Sequence, residues 1–405
     1  MAERNCRTRV SFGLRTLVVA IVGFALTPSL TGVGAAAPAA RPVRLPQVST
    51  SPWTQFRYDA LQSGFNSAET TLSTSNVATL HLAWQFLTNG SVYGGAPSVL
   101  DGTVYIGSQG GGFYALNEAT GAELWSFQAG GVIDGAPVVS NGTVYFSSFD
   151  SNIYALNATT GALQWSLPSS GPVEGGMDLA NGVLYAATLS PTQTGPGTLY
   201  AIDPTTGVPI WSTTAGGPLE SSPAVSNGVV YIGSEDHNLY AFNATDGTVL
   251  WTFLAGSAID ASPAVVNGLV YVGADNGNVY AVNAVTGRQT WKYHTRRYIE
   301  SSVAVAGNTL VVGSADDHVY GLNATSGALL WKVLTGNRIE SSPAAANGLA
   351  FIGSRDTKLR GISLATGAVL WTGTAATKSI GGSPSVADGM VFVGSNDGHV
   401  DAYSL

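Results

Sequence analysis

Residues Ser222–Trp251 read SPAVSNGVVYIGSEDHNLYAFNATDGTVLW, and this stretch decides the fold. It divides into four short apolar runs: one before Asn227-Gly228, then VVYIG, LYAF and TVLW. Val, Ile, Tyr, Phe and Trp favour the pleated strand, and Asn-Gly accepts positive φ at both positions of a tight hairpin turn. The stretch therefore predicts a four-stranded antiparallel sheet. The hairpin turn recurs as Asn141-Gly142, Asn181-Gly182, Asn267-Gly268 and Asn347-Gly348, with Asp101-Gly102 and Asp388-Gly389 as variants.

Working outward, the unit repeats along the chain. From Trp84 the tryptophans fall at 125, 165, 211, 251, 291, 331 and 371, with gaps of 41, 40, 46, 40, 40, 40 and 40 residues. Four strands per forty residues, repeated, is the pattern of propeller blades. Seven complete units end at Trp125 to Trp371. An eighth begins at Ser383-Pro384 and stops before its tryptophan strand, and the missing strand is present at the other end as LHLAWQF around Trp84. The expectation is an all-β, eight-bladed propeller over residues 81–405, closed by the N-terminal strand completing the C-terminal blade and removing two free edges.

Composition agrees. Of 405 residues, 10% are charged and 45% hydrophobic, which excludes a charged coiled coil and a disordered chain. The 51 glycines follow no G-X-Y period, which excludes collagen. Residues 1–40 read as an export signal: Arg4, Arg7, Arg9 and Arg15 precede an apolar run, Leu17 to Leu26, and small residues follow at Ala35, Ala36, Ala37 and Ala39. An uncleaved signal would leave a membrane anchor; otherwise the chain is expected in the periplasm, on the cell surface or secreted. Cys6 lies before the apolar run, so the exported chain has no disulfide, thiolate nucleophile or cysteine-based metal site. Residues 41–80 form an N-terminal arm.

Each unit carries A-x-N-x-x-T-G-x-x-x-W or a near copy, as in Ala155, Asn157, Thr160, Gly161 and Trp165, and again in Ala281, Asn283, Thr286, Gly287 and Trp291. This resembles the tryptophan-docking repeat of the pyrroloquinoline quinone (PQQ) propeller family, which includes quinoprotein alcohol dehydrogenases and the outer-membrane assembly lipoprotein BamB. WTQFRYDALQSGFN (Trp53 to Asn66), followed by NVATLHLAW, resembles the N-terminal arm of the quinoproteins. The resemblance covers roughly Trp53 to Leu405. The residues read the same way on their own: the Asn or Asp side chain folds back onto the turn, glycine takes the left-handed position, and tryptophan buries a large area against the next blade. Trp84, Trp125, Trp165, Trp211, Trp251, Trp291, Trp331 and Trp371 are structural docking residues.

Strand alternation places the Asn-Gly and Asn-x-x-Thr-Gly turns on one uniform face. The opposite face carries the second-to-third-strand loops and the blade-to-blade crossings, which vary, and it holds the Ser190–Gly197 insertion; function is expected there. Three residues before the proline position of the crossings stand Asp134, Glu174, Glu220, Asp260, Glu300 and Glu340, with Gly94 and Gly381 in blades one and eight. They form a candidate cation or polar-ligand ring near the axis, or accept hydrogen bonds from local backbone and from serines such as Ser221, Ser222, Ser301 and Ser302. Residues 58–287 hold 16 acidic and no basic side chains, whereas residues 288–405 hold 10 basic and 8 acidic ones. Arg296, Arg297, Arg338 and Lys378 lie in the crossings, placed either to clamp an anionic ligand or partner or to neutralise Glu300 and Glu340. Beyond residue 40 the chain carries 13 basic against 24 acidic residues and no broad basic surface, so nucleic acid is not an expected ligand. The five histidines lack zinc spacing, and Asp275-Asn276-Gly277 and Asn396-Asp397-Gly398 read as turns.

Two functions follow. One is a monomeric, non-catalytic scaffold that binds a protein or envelope component through the variable face and needs no cofactor. The other is a dehydrogenase of alcohols or sugars using PQQ and calcium, for which the resemblance implies a carboxylate-held calcium, an arginine near the quinone and an aspartate base; Glu174, Glu300 or Glu340 with Arg297 or Arg338 are the residues available. The chain lacks the adjacent cysteine pair, a spare propeller tryptophan to stack on the quinone, and long blade insertions. No catalytic residue is assigned, and no metal ligand set is fixed.

Overall fold

The computed structural model describes residues 48–190, 192 and 195–405. The export-signal expectation lies outside them. Pro46–Leu405 forms one compact unit.

Eight antiparallel sheets of four strands each build the unit, one per sequence repeat. The quoted stretch becomes Ala224–Ser226, Val229–Gly233, Asn238–Asn243 and Val249–Leu254, with Asn227 at φ 50° and Gly228 at φ 77° in the first turn. Two successive positive-φ residues give a turn whose twist matches that of the strands it joins. In the eighth blade His81–Leu87 pairs with His399–Ser404 as the outermost strand, closing the ring as expected.

The turn joining the third and fourth strands sits on the first turn of the same blade: Ala158, Ala244 and Ala284 donate their N–H to Gly142, Gly228 and Gly268 at 2.9 Å. Both turn types therefore share one face. Each third-to-fourth pairing carries a register shift beside the tryptophan, as between Ala241 and Phe242, and such a bulge re-aims a side chain. All eight ring tryptophans then donate Nε1–H to a carbonyl of the next blade at 2.7–3.1 Å: seven reach one turn position, Trp84 at Glu118, Trp125 at Ala158 and so on to Trp331 at Leu364, and Trp371 reaches Leu80, just before the closing strand. The following Thr-Gly turn lays its glycine against that indole. A Cβ on Gly247 would stand 2.7 Å from Trp211, and its φ of 72° already favours glycine.

Both faces of each blade are apolar because each is pressed between two neighbours. Tyr231, Leu239 and Ala241 of blade four pack with Val265, Val270, Val272 and Val282 of blade five. Each such side chain contributes about 1.5–3 kcal/mol when fully buried.

Candidate functional site at the channel mouth

The innermost strands would present unpaired backbone groups to the central channel. The arm covers them. Val139, Val225, Val265, Val305 and Ala345, the middle residues of innermost strands, donate N–H to Thr54, Ala60, Leu61, Ser63 and Gly64 at 2.7–2.8 Å. Trp53 bridges Val99 in blade one, the Gln55 amide serves Leu179 and Asp178 in blade three, and Asn66 Nδ2 donates to Val386 O in blade eight. Residues 53–66 thus touch all eight blades in order. Phe65–Asn66 adds a short parallel strand to blade seven. The guanidinium of Arg57, 2% exposed, donates to the carbonyls of Val303 and Pro343. Burial lowers its pKa to about 9, with Asp59 opposing the shift.

Above this arm the crossings are tied blade to blade. Ser222, Ser262, Ser302 and Ser342 each donate backbone N–H to the hydroxyl of the next blade's serine, ending at Ser383, at 2.8–3.1 Å. The preceding serines turn inward to their own blade: Gly233, Gly313 and Gly353 donate N–H to Ser221, Ser301 and Ser341. These serines therefore serve the backbone of the crossings and second strands. Their bonds hold the blades in register, and the acids stand beyond them.

A second ladder fixes what faces each acid. One residue of every second-to-third-strand loop donates N–H to the crossing carbonyl two positions before the acid: Phe149 to Val132, Leu189 to Pro172, Glu235 to Pro218, Asp275 to Ala258, Ala315 to Tyr298 and Arg355 to Arg338. In blade one Gln109 donates to Ser91, and in blade eight Asn396 donates to Ser379. The counterpart of the acids in blade one is therefore Tyr93, not Gly94, because the crossing is one residue longer there. Tyr93 lies against Gly381, whose Cβ would stand 2.6 Å from the ring, and its hydroxyl donates to Glu340 Oε2 at 2.8 Å.

The mouth is consequently polarised. Glu340 is held by Arg338 at 3.0 Å and Arg355 at 2.7 Å, with Tyr93 as a third partner. Burial and the Glu340 charge push the Tyr93 hydroxyl well up. Asp134 accepts the Gln109 amide at 3.1 Å, yet burial pushes its carboxyl up to about 6. On blades four and five acid faces acid. Glu220, Glu235 and Asp260 each offer a carboxylate oxygen, all within 4.8 Å of one another. Burial, then the charges of Glu220, Asp275, Glu235 and Glu300, push Asp260 up to about 9. Burial and the charges of Glu340 and Asp275 push Glu300 up to about 7. Glu174 is partly buried in the crossing to blade three. Of the basic candidates, Arg338 neutralises Glu340, while Arg296, Arg297 and Lys378 are exposed on their crossings.

The facing residues Tyr93, Gln109, Glu235 and Arg355 were not singled out from sequence as site residues, and Asp275 was read only as part of a turn. A signal was present: several loops follow the pattern Gly-Ser-x-Asp, as in Gly233–Asp236 and Gly353–Asp356, and the x position runs from acidic Glu235 to basic Arg355.

Glu220, Glu235 and Asp260 fit a divalent cation, which takes several carboxylate oxygens. A stacked quinone fits less well. The eight ring tryptophans are spent on docking, and the ninth, Trp53, is 1% exposed in the arm. Among the described residues the aromatic side chains at these crossing and loop positions are Phe149, Tyr298 and Tyr93, the last laid against Gly381. The residues present thus accommodate the metal half of a quinone site without the flat indole surface, and no reaction step is derived from them.

Three overlapping stretches, residues 68–173, 150–293 and 255–400, match the sequence family described as outer membrane protein assembly factor BamB. No curated protein is significantly similar in sequence. Among solved structures, quinohemoprotein alcohol dehydrogenase from Comamonas testosteroni superposes with a TM-score of 0.76 at 13% identity, over 88% of this chain and 80% of that one. A europium-containing methanol dehydrogenase gives 0.74 at 15%, over 88% and 98%. BamB from Moraxella catarrhalis gives 0.68 at 18%, over 81% and 98%. At these identities the likeness is one of fold.

Proposed function

We propose a function from one premise: this chain belongs to the BamB-type family of PQQ-like repeat propellers. It acts as an exported binding or scaffold module, in the cell envelope or outside the cell, and engages a protein partner or envelope component through the crossing face. The observation that carries this reading is the commitment of every tryptophan to docking or to the arm, beneath a mouth built of carboxylates, amides and guanidinium groups. Such a surface recognises charge. Its acidic sector on blades four to six suits a partner that presents basic side chains, and the exposed Arg296, Arg297 and Lys378 beside it suit acidic ones. The family's fold relatives include alcohol dehydrogenases, and the cation-competent trio Glu220, Glu235 and Asp260 favours the dehydrogenase as the second reading. Among the described residues no helix is long and apolar enough to cross a membrane.

Two titrations separate the readings. Envelope extract is passed over the immobilised protein and over a Glu220→Gln/Asp260→Asn variant; the scaffold reading expects a partner retained by the first and lost from the second. PQQ with calcium is titrated by calorimetry and quinone absorbance. Saturable micromolar binding that the variant abolishes would overturn the scaffold reading in favour of the enzyme.

A further inference from the structure

Glu118 breaks the repeat. It occupies the turn position filled by Ala158, Pro204, Ala244, Ala284, Ala324 and Leu364 in blades two to seven, the position whose carbonyl receives the neighbouring indole. Its side chain is 4% exposed, and neither carboxylate oxygen has a hydrogen-bond partner. A buried carboxylate in that state is costly when charged and tolerable when neutral.

Its location matters as much as its burial. The Glu118 carbonyl accepts Trp84 Nε1–H at 2.7 Å, and Trp84 belongs to the strand that closes the ring. The charge acting on Glu118 is that of Asp388, in the first turn of blade eight. Asp388 Oδ1 accepts the backbone N–H groups of Thr50 and Ser51, both at 2.8 Å, and the Thr50 hydroxyl at 3.1 Å, while Oδ2 is buried without a partner. The other titratable groups around the seam are engaged or exposed. Glu69 accepts Ser51 Oγ, Gly389 N and the N–H groups of Thr71 and Leu72; Asp101 accepts Ser49 N; His81, on the closing strand, is exposed. No basic side chain stands between Arg57 and Arg288 in the sequence, and among the described residues neither oxygen of Glu118 has a hydrogen-bonding cation.

We propose that Glu118 and Asp388 form a proton-dependent latch on the ring-closing seam: with Glu118 neutral the strand His81–Leu87 and the start of the arm are held, and with Glu118 ionised beside Asp388 both are released. Burial, reinforced by Asp388, pushes the Glu118 carboxyl up to about 7 from its ordinary 4.5. Because the folded value is raised, the seam is tightest below pH 4.5 and weakens as pH rises to about 7, where the loss is complete. The difference of about 2.5 units corresponds to a change of up to roughly 300-fold in the opening equilibrium. At the other seven junctions the carbonyl that receives the indole belongs to Ala, Pro or Leu, so the device acts where the chain's two ends meet.

Hydrogen exchange tests it on the whole chain. Amide protection of residues 49–51 and 81–87, corrected for intrinsic exchange, is measured from pH 5 to 8.5 in the wild type, in Glu118→Gln and in Glu118→Ala, which restores the residue most blades carry. The latch expects wild-type protection in these two segments to fall at least 10-fold across the range, with both variants flat and blades three to five unchanged in all three proteins. A seam whose protection follows the same pH profile in wild type and Glu118→Ala would overturn it. Should Glu118→Gln fail to fold, Glu118→Ala and Asp388→Asn decide alone.

Discussion

Asp260 should make the protein less stable than it could be, and Asp260→Asn measures by how much. The side chain lies among Glu220, Glu235, Asp275 and Glu300, and its carboxyl is raised from 3.8 to about 9, by burial first and those charges second. A carboxyl whose folded value is raised binds its proton more tightly in the folded than in the unfolded chain. Stability therefore falls as pH climbs from about 4 to about 9. A pH of 7 lies about 3 units above the unfolded value of 3.8 and below the folded one, so at 1.36 kcal/mol per unit the loss there is on the order of 4 kcal/mol. Asparagine cannot ionise and escapes it. With an unfolding entropy of roughly 2.1 cal/mol/K per residue over Pro46–Leu405, that energy corresponds to a gain of about 5 °C in Tm. The assay is calorimetric unfolding in chelator-treated buffer between pH 4 and 9. The variant should melt higher than wild type at pH 7 and converge with it near pH 4. Equal Tm values at pH 7 would refute the claim that the acids of blades four to six repel one another.

Three other outcomes follow from the frame. Gly247→Ala should cost about 2–3 kcal/mol in chemical denaturation, because the new methyl meets Trp211 at 2.7 Å at a φ of 72°; Gly228→Ala, at φ 77° with open space around it, should cost only about 1. Trp331→Phe should destabilise by about 1 kcal/mol more than Trp251→Phe, since the carbonyl reached by Trp251 also accepts the Tyr231 hydroxyl at 3.1 Å, whereas Val311 stands at that position in blade six and offers no hydroxyl. Arg57→Met leaves the carbonyls of Val303 and Pro343 unpaired and should cost about 3 kcal/mol, with proteolysis appearing first within residues 49–66.

The blades were legible because each obeys the same local rules eight times over. Asn-Gly turns, alternating β-branched residues and a tryptophan every forty positions specify the hairpins, their register and the shared turn face without reference to anything distant. Closure by Trp84 was legible too, from one strand missing at the C-terminus and one spare at the N-terminus. The course of the arm was not. Trp53–Asn66 has no alternation, because its bonds run to eight different strands; Arg57, Tyr58 and Gln62 even adopt positive φ, which no pattern at those residues announces. Its fit depends on the channel, and the channel exists only once the ring has closed.

The mouth shows where repetition misleads. Six carboxylates at one repeat position look equivalent in sequence, and both readings of them, a ligand ring or local hydrogen bonding, treated them alike. In the folded ring the acids meet different loop residues, from their own blade or the one before it, and those neighbours decide their chemistry. Arg355 helps neutralise Glu340, Gln109 hydrogen-bonds Asp134, and Glu235 sets a second acid against Glu220. Blade one escaped alignment altogether, since one inserted residue moves Tyr93 into the ring and carries its hydroxyl across blade eight to Glu340. A repeat fold fixes backbone positions by copying and leaves function to the few positions where copies differ. The informative comparison is therefore between blades at one structural position, made after the hydrogen-bond ladder has shown which positions correspond.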